Sequence, residues 1–513
     1  MQKKTYTKRK KKSAPRRKAK TAKSEKKIHQ LKVCFAASEC VPFVKTGGLA
    51  DVCGALPIEL AKLGCEVKVF VPLYGSIKTI DHGLSYSSDL TDMAAQIGDL
   101  TVPFHTWHKK DLSGVEFHFV DCPHYFHRDK IYTSDPDEDE RFFLFQNAVI
   151  TIMQHYNWSP DILHCNDWQT ALLPVFIKEK FAWDSLFQHT GCVLSIHNIK
   201  HQGRSSENSI YKAGLKYDNY YPTGPLEYHD SFSTLKAGIF FSETITTVSP
   251  TYAQELLTEE YGEGFDGILR SRQDHLVGIL NGIDNVAWNP ATDILIPQNY
   301  TFKTFEKKRK NRQALLEFAH LPYDENAPVI GLIARLDEQK GIDLLTPVFN
   351  ELLDLPVQFV VLGSGEKKYE DFFSWASHNF RKNAYAYIGF NNELAHLITA
   401  GSDMYLMPSR FEPCGLNQMY SLNYGTVPIV RKTGGLADTV RDFHEFDSQG
   451  NGFSFHDYTP YALGTSVQRA VELFHKKETW MQIVERGMTE NFSWQASARK
   501  YLQVYERAKE MRG

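Results

Sequence analysis

The sequence contains no long hydrophobic run. None of its apolar stretches approaches the roughly 20 consecutive residues that a membrane-spanning helix requires. Hydrophobic residues make up 42% of the chain and charged residues 23%, fractions that are typical of a soluble globular protein. We therefore expect no insertion into a membrane.

Cysteine pairs of the metal-binding or redox kind are also missing. The eight cysteines are scattered, mostly inside apolar segments, and form neither a C-x-x-C pair nor the cysteine and histidine spacing of a zinc site. This usage is typical of a reducing compartment and argues against a structural metal. We expect a cytoplasmic protein.

Positive charge is concentrated at the start of the chain. Residues 1–27 hold 14 Lys or Arg and one Glu, whereas the whole chain has a net charge of −3. A segment this hydrophilic cannot form a hydrophobic core, so residues 1–28 are predicted to be a disordered basic tail. The tail lacks the apolar region of a secretory signal, and it is rich in Lys rather than in the Arg and Ser of a transit peptide. If the tail is nevertheless a transit peptide, a plastid location is the alternative. The tail could also touch RNA, but we expect no nucleic-acid partner.

Length and pattern predict an α/β protein with two lobes. At 513 residues the chain exceeds the roughly 250–300 residues at which a single core stops growing. An apolar strand from Leu31, a Gly-Gly turn, a helical pattern over residues 51–63 and a strand over residues 66–73 form one β-turn-α-β unit. Residues 81–145 are predicted to alternate short strands with polar turns, and residues 276–283 to form a further strand. A second set of strands begins at Val329.

These patterns set the predicted domain limits. Residues 29–288 form the first lobe, residues 289–491 the second, and residues 289–299 the hinge. Residues 492–513 are predicted to contain a helix with one apolar face, which needs a lobe to pack on.

The heptapeptide KTGGLAD occurs twice, at residues 45–51 and at residues 432–438. Each copy follows an apolar run. A Gly-Gly turn between a strand and a helix needs no ligand, but two similar lobes facing one cleft would need the same turn twice. We therefore predict that both copies approach a ligand.

Charged residues follow two predicted strands of the second lobe. Glu412 comes after the strand over residues 403–407, and Arg335 and Lys340 come after the strand that begins at Val329. Ligands bind outside the carboxyl ends of strands in open α/β sheets, and two fixed cations there suit a leaving diphosphate. The alternative is an exposed ion pair of Arg335 or Lys340 with Asp337 or Glu338.

Three further features allow two interpretations each. The acidic residues 135–140 (DPDEDE) could hold a divalent ion, although such blocks are usually solvated loops. His197 ends a strand and is either a core histidine or a site residue. Phe390 is either core or a platform on which a base stacks.

Several motifs together resemble one family. In order along the chain they are KTGGLADV, HNIKHQG, LNGID, ARLDEQKG, PSRFEPCGLNQMY and KTGGLADTV. From about Lys32 onwards the sequence resembles the bacterial glycogen synthases and plant starch synthases, which are retaining glycosyltransferases of the GT-B fold.

The resemblance implies two Rossmann-like lobes facing a central cleft, the first on the acceptor side and the second on the nucleotide-sugar side, with the C-terminal helix returning to the first lobe. It implies transfer of glucose from ADP-glucose to the non-reducing end of an α-1,4-glucan (glycogen or starch), with no metal or other cofactor. A UDP-glucose enzyme of the same fold is one alternative. An inactive glucan-binding scaffold is another, but Arg335, Lys340 and Glu412 are all present.

By motif position, Arg335 and Lys340 resemble the residues on the distal phosphate, and Glu412 the carboxylate beside the donor sugar. The other implied site residues are Lys45 and Gly48 (donor contacts), Asp51, Asp167, His197 and Asn281 (sugar or catalytic positions), Gly415, Leu416 and Asn417 (nucleotide), and Phe390 (adenine). The sequence departs from the family at Asn166, where a His is common, at Asn417, where some members have Thr, and at Phe390, which is more often Tyr.

Overall fold

Strands and helices alternate through the part of the chain that carries the motifs. The computed structural model describes residues 1–2 and 30–513, so the predicted disordered tail lies outside the described residues apart from Met1 and Gln2. Within residues 30–513 the strands are β1 (Lys32–Ala36), β2 (Glu66–Pro72), β3 (Ser85–Tyr86), β4 (Ala94–Ile97), β5 (Leu100–Pro103), β6 (His105–Lys110), β7 (Glu116–Asp121), β8 (Ile162–Asn166), β9 (Gly191–Ile196), β10 (Arg204–Ser205), β11 (Glu227–Tyr228), β12 (Ser231–Ser233), β13 (Thr244–Thr247), β14 (Leu276–Gly278), β15 (Val329–Ile333), β16 (Gln358–Gly363), β17 (Ala384–Ile388), β18 (Met404–Met407), β19 (Val427–Arg431) and β20 (Phe453–Phe455).

The α-helices of the same residues are α1 (Gly48–Lys62), α2 (Pro123–Phe126), α3 (Glu138–His155), α4 (Leu173–Val175), α5 (Asn208–Ala213), α6 (Thr234–Phe241), α7 (Pro250–Glu255), α8 (Asp266–Ser271), α9 (Lys308–Phe318), α10 (Ile342–Leu353), α11 (Lys367–Asn379), α12 (Asn392–Gly401), α13 (Asn417–Asn423), α14 (Gly434–Thr439), α15 (Pro460–Phe474), α16 (Lys477–Met488) and α17 (Trp494–Arg512). Across the described residues, no helix combines the length and the apolar composition needed to cross a bilayer.

The first lobe is built on a sheet with the strand order β14-β13-β9-β8-β1-β2-β7-β6-β3. The strands from β14 to β7 run parallel, and β6 and β3 add an antiparallel edge. Strands β8 and β9 are buried at every position, because parallel strands are covered by helices on both faces. Strand order reverses between β1 and β8, so a crevice opens there at the carboxyl ends.

The second lobe repeats this plan. Its sheet is parallel throughout with the order β17-β16-β15-β18-β19-β20, and the reversal lies between β15 and β18. Residues 31–513 form one compact unit. The predicted pair of doubly wound α/β lobes is confirmed.

The chain crosses between the lobes twice, side by side. Ile283 pairs with Ser493 in an isolated bridge, and a Cβ at Gly282 would overlap the backbone of Trp494. Helix α17 then packs on α1 and β9 of the first lobe, where Tyr505 Oη lies 2.7 Å from His164 Nδ1. The predicted domain boundaries, between residues 288 and 289 and between residues 491 and 492, stay a prediction.

Two local predictions were correct only in part: strands β3 to β7 lie within residues 81–145 and a strand begins at Leu276, but the last part of each range differs. Residues 81–145 were expected to alternate short strands and turns, but α3 begins at Glu138, because three acidic residues in its first turn favour a helix N-terminus. The strand predicted over residues 276–283 ends at Gly278, after which the chain leaves the sheet for the crossing.

Candidate active site

The carboxyl ends of both sheets face a shared cleft. A cavity of about 640 Å³ lies between them. Its lining includes Glu39, Thr46, Gly47, Gly48, Asp167, Trp168, Gln169, His197 and Asn281 from the first lobe and Lys340, Glu412, Gly415, Leu416 and Asn417 from the second. A neighbouring cavity of about 610 Å³ contains Arg335 and Phe390 and shares Lys340 with the first.

Lys340 and Glu412 are in direct contact. Lys340 Nζ lies 2.6 Å from Glu412 Oε2, and Ser409 Oγ donates to the same oxygen at 3.0 Å. The Glu412 side chain is only 9% exposed, so these two donors compensate a carboxylate that is largely removed from water. The two residues, which follow different strands of the second lobe, therefore meet at the carboxyl ends of these strands.

Arg335 forms the ion pair that was considered as its alternative. Its guanidinium binds Asp337, and Nη2 donates to Gln339 Oε1 at 2.9 Å. It is also 61% exposed and lines the second cavity, so a ligand can reach it. Phe390 in the same cavity is 88% exposed, which rules out the core interpretation of this residue.

The buried Asp167 and the partly buried His197 are in contact at the ends of β8 and β9. Asp167 has a left-handed backbone (φ +55°), and its Oδ1 accepts from the His197 N–H at 2.7 Å. Burial raises the pKa of Asp167 to about 7 against the opposing effect of the N–H donors of His197 and Asn198. Burial lowers the pKa of His197 to about 3, so this imidazole is neutral at physiological pH.

Asn166 occupies the position at which a His is common in the family, and it contacts His197. Its Oδ1 lies 2.9 Å from His197 Nε2, and its Nδ2 donates to the Ala36 carbonyl at 3.0 Å. An amide oxygen only accepts, so the contact selects the tautomer of His197 with the proton on Nε2. Asn166 thereby fixes the His197 ring.

The first KTGGLAD copy wraps around a carboxylate that sequence reasoning missed. Glu39 accepts from the N–H groups of Thr46 and Gly47 at the start of α1, from Thr46 Oγ1 at 2.6 Å and from Tyr132 Oη at 2.6 Å. A negative group is favourable at a helix N-terminus. Glu39 lies just beyond β1, so the rule of polar residues at strand ends could have found it.

Lys45 and Asp51, the first and last residues of the first KTGGLAD copy, bind each other with 2.7 Å between Lys45 Nζ and Asp51 Oδ1. Burial raises the pKa of Asp51, and the hydrogen bond from Lys45 opposes this shift. Neither side chain lines the two cavities, whereas Thr46, Gly47 and Gly48 between them line the first.

Comparison with known proteins identifies the family. Residues 32–271 match the family model of the starch synthase catalytic domain, and residues 316–486 match that of the glycosyl transferases group 1. The chain is 41% identical over 483 residues to the glycogen synthase of Bacillus cereus strain Q1, covering 93% of this chain and 99% of that protein. The chain belongs to the glycogen synthase family. The glycogen synthase of Clostridium novyi strain NT is likewise 41% identical, with 93% and 98% covered.

Solved structures agree with this family. The catalytic domain of starch synthase IV from Arabidopsis thaliana, solved bound to ADP and acarbose, matches with a TM-score of 0.85 at 32% identity, covering 94% of this chain and 100% of that chain. Sucrose-phosphate synthase from Thermosynechococcus elongatus matches with a TM-score of 0.55 at 16% identity over 93% and 98% of the two chains, which shows the fold alone. The predicted GT-B fold is confirmed.

In this member of the glycogen synthase family, the turn of the second KTGGLAD copy contacts other parts of the protein. Glu255 Oε1 of the first lobe accepts from the Gly434 N–H at 2.9 Å and from Thr433 Oγ1 at 2.8 Å. A Cβ at Gly434 would overlap the Glu412 carbonyl oxygen. The glycines of this copy therefore approach protein backbone and its helix N-terminus receives a protein carboxylate, and the predicted ligand contact stays a prediction.

Among the described residues that line the first cavity, two have a buried amide oxygen without a hydrogen-bond partner. Asn281 Oδ1 and Gln169 Oε1 are both buried among residues that line the first cavity. A buried polar atom without a hydrogen bond is costly, so both are candidates for contact with a ligand hydroxyl. Asn281 was predicted, and Gln169 was missed because a single Gln carries no recognisable pattern.

The segment from Gly415 to Asn417 leads into helix α13 and lines the first cavity. Gly415 has a positive φ of +71°, a conformation that favours glycine. Leu416 precedes the first helical residue, and Asn417 Nδ2 donates to the Ile333 carbonyl at 3.0 Å. The Asn at this family position therefore ties the start of α13 to the end of β15.

The acidic residues 135–140 are not the solvated loop expected. Arg128 pairs with Asp135 and Asp137, and Lys212 pairs with Glu140. Glu138 pairs with Arg141 at 2.9 Å. In residues 30–513, no group of three or more His, Cys, Asp or Glu is arranged to hold a metal ion. A metal-free reaction remains a prediction.

Proposed function

We propose that the protein transfers glucose from ADP-glucose to the non-reducing end of an α-1,4-glucan, with retention at the anomeric carbon and without a metal or another cofactor. The observation that carries this proposal is the position of Lys340, which lines both cavities. A nucleotide sugar has its diphosphate between base and sugar. A cation shared by a cavity with Phe390 and a cavity with Glu412 therefore suits that diphosphate.

The second cavity takes the nucleotide. Phe390 offers an exposed aromatic face for the base, and Arg335 offers a guanidinium for the distal phosphate. The choice of ADP over UDP is supported by the starch synthase IV catalytic domain, which was solved bound to ADP. The residues by themselves do not distinguish the two nucleotides.

The first cavity takes the glucosyl group. Lys340 neutralises negative charge that grows on the leaving diphosphate, and Glu412 stabilises positive charge at the anomeric carbon. With its proton on Nε2, His197 presents Nδ1 as an acceptor for a sugar hydroxyl. The remaining proposed contacts to donor or sugar are Lys45, Gly48, Asp51, Asp167, Asn281, Gly415, Leu416 and Asn417.

A third cavity provides a route for the glucan. It has a volume of about 850 Å³ and shares Glu138, Trp168 and His201 with the first cavity. The indole of Trp168 supplies an apolar face on which a sugar ring can pack. We therefore place the acceptor on the first lobe, and contact between the lobes would keep water from the reacting carbon.

The test is transfer of radiolabelled glucose to glycogen from ADP-glucose and, separately, from UDP-glucose. We expect kcat/KM to be at least about tenfold higher with ADP-glucose, which corresponds to roughly 1.4 kcal/mol of transition-state stabilisation. Equal use of the donors, or preference for UDP-glucose, would refute the donor assignment. No transfer from either donor would refute the enzymatic function and favour a glucan-binding scaffold.

A further inference from the structure

The loop that carries Glu412 is also held by residues of the first lobe. We call residues 408–415 the Glu412 loop. Ser249 Oγ donates to the Pro413 carbonyl at 2.8 Å, and Lys200 Nζ lies 4.5 Å from the centre of the Phe411 ring. Pro413 and Phe411 are the two chain neighbours of Glu412, so the first lobe contacts the loop on both sides of the carboxylate.

Helix α7 of the first lobe and helix α14 of the second each place an acidic side chain at the N-terminus of the other helix. Glu255, at the end of α7, binds Thr433 and Gly434 at the start of α14. In return, Asp438 in α14 accepts from the N–H and Oγ1 of Thr251 in α7, at 2.8 and 2.7 Å. Each helix N-terminus therefore receives an acidic side chain from the other lobe, an arrangement that favours both helices.

The turn that Glu255 binds is packed directly against Glu412. The Gly435 N–H donates to the Glu412 carbonyl at 3.1 Å, and the missing side chain of Gly434 lets the turn touch the same oxygen. Thr433 is fully buried. A shift of the turn therefore moves the backbone of Glu412, and with it the carboxylate that Lys340 binds.

We propose that Glu255 is a positioning residue for Glu412. Through Thr433 and Gly434 it holds the Glu412 loop, so that the Glu412 carboxylate is in place only while α7 and α14 are in contact. Glu255 itself does not line the cavities that contain Lys340. The inference rests on the proposed function for its kinetic consequence, since small misplacements of a catalytic group cost much rate.

The kinetic test compares two variants of Glu255 with a control. Glu255→Ala removes the acceptor oxygen and should lower kcat by about tenfold or more, with the KM for ADP-glucose changed by less than about threefold. Glu255→Gln keeps the acceptor and should retain kcat within about threefold. Glu259→Gln changes an exposed residue just beyond the same helix and should match the wild type. A wild-type kcat in Glu255→Ala would overturn the proposal.

A double-mutant cycle separates positioning from a general loss of structure. If Glu255 acts through Glu412, Glu255→Ala should cost little further rate in a Glu412→Gln background. Full multiplication of the two losses would overturn the proposal. If Glu255→Ala does not fold, as judged by circular dichroism, Thr433→Val removes one of the two hydrogen bonds and takes its place in the cycle with the same outcomes.

Hydrogen exchange tests the contact independently of turnover. The peptide that spans residues 408–416 should exchange faster in Glu255→Ala than in the wild type, and should be unchanged in Glu259→Gln. Unchanged exchange in Glu255→Ala would overturn the inference. This result does not depend on glucose transfer, so an inactive wild type would refute the proposed function without affecting the measurement.

Discussion

Lys340 Nζ and Glu412 Oε2 lie 2.6 Å apart and join segments that are 72 residues apart in the chain. The pair sits where the two cavities meet. A bound diphosphate would attract Lys340, and a positively charged sugar would attract Glu412. We therefore expect the pair to serve one charge-separated transition state.

Substitution of this pair should reduce turnover more than binding. We expect Lys340→Ala to lower kcat by about 100-fold or more with a smaller change in donor KM, because its interaction strengthens in the transition state. Glu412→Gln keeps the shape, removes the charge and should cause a similar loss. The double variant should lose less than the product of the single losses.

Lys367→Ala is the matched control, because Lys367 is an exposed lysine of α11. Steady-state kinetics of the four variants decides the matter. An increase in KM alone for Lys340→Ala, or fully multiplicative losses, would show that Lys340 only binds the donor.

Phe390 should contribute to nucleotide affinity without contributing to stability. Stacking of a base on an aromatic ring is worth about 1–3 kcal/mol, so Phe390→Ala should raise the KM for ADP-glucose about tenfold. The exposed ring makes little difference to folding, and the melting temperature should stay within about 1 °C. Phe390→Tyr retains the ring and is the control. An unchanged KM in Phe390→Ala would place the base elsewhere.

Asp167 should make stability depend on pH. Because burial raises its pKa to about 7, the folded protein retains a proton that the unfolded chain releases near pH 4. The favourable contribution is therefore complete below about pH 4 and is lost as pH rises to about 7. Asp167→Asn, which has no such loss, should gain melting temperature relative to the wild type between pH 5 and pH 8.

The exposed acid Asp371 provides the control. The difference in melting temperature between Asp371→Asn and the wild type should be the same at pH 5 and pH 8. If the difference for Asp167→Asn is also constant, the carboxyl of Asp167 titrates normally.

Removal of divalent ions should leave the rate unchanged. Arg335 and Lys340 are fixed cations at the proposed diphosphate position, so no ion is needed to neutralise it. We expect EDTA to change the rate of glucose transfer by less than about 1.5-fold. Loss of activity that magnesium or manganese restores would contradict this and revive the acidic residues 135–140 as a metal site.

Much of the architecture could be predicted because it is encoded locally. Fully apolar runs such as β15 predict buried parallel strands. Arg335 and Glu412 were found because polar residues at strand ends meet at one edge of a sheet. The start of α3 was missed, since its acidic first turn resembles a loop when taken without the buried FFLF run that follows.

The partners of site residues could not be predicted in the same way. The position of Glu39 after β1 marks it as a candidate, but its contact with the N-terminus of α1 does not follow from residue type. The same holds for the contact by which Asn166 selects the tautomer of His197. Such contacts depend on how two strands or two lobes are placed, and one residue alone does not carry that information.

The repeated heptapeptide shows separately what the local sequence and the tertiary structure determine. By itself, the sequence determined that KTGGLAD forms a strand-to-helix turn at both places, because glycine freedom and the helical pattern are properties of neighbouring residues. Only the tertiary structure decided what each turn holds. The first turn receives Glu39 from seven residues away and faces the cleft, whereas the second receives Glu255 from 179 residues away. That distance is closed by packing of α7 on α14, so the carboxylate that each helix N-terminus binds is chosen by the arrangement of the lobes.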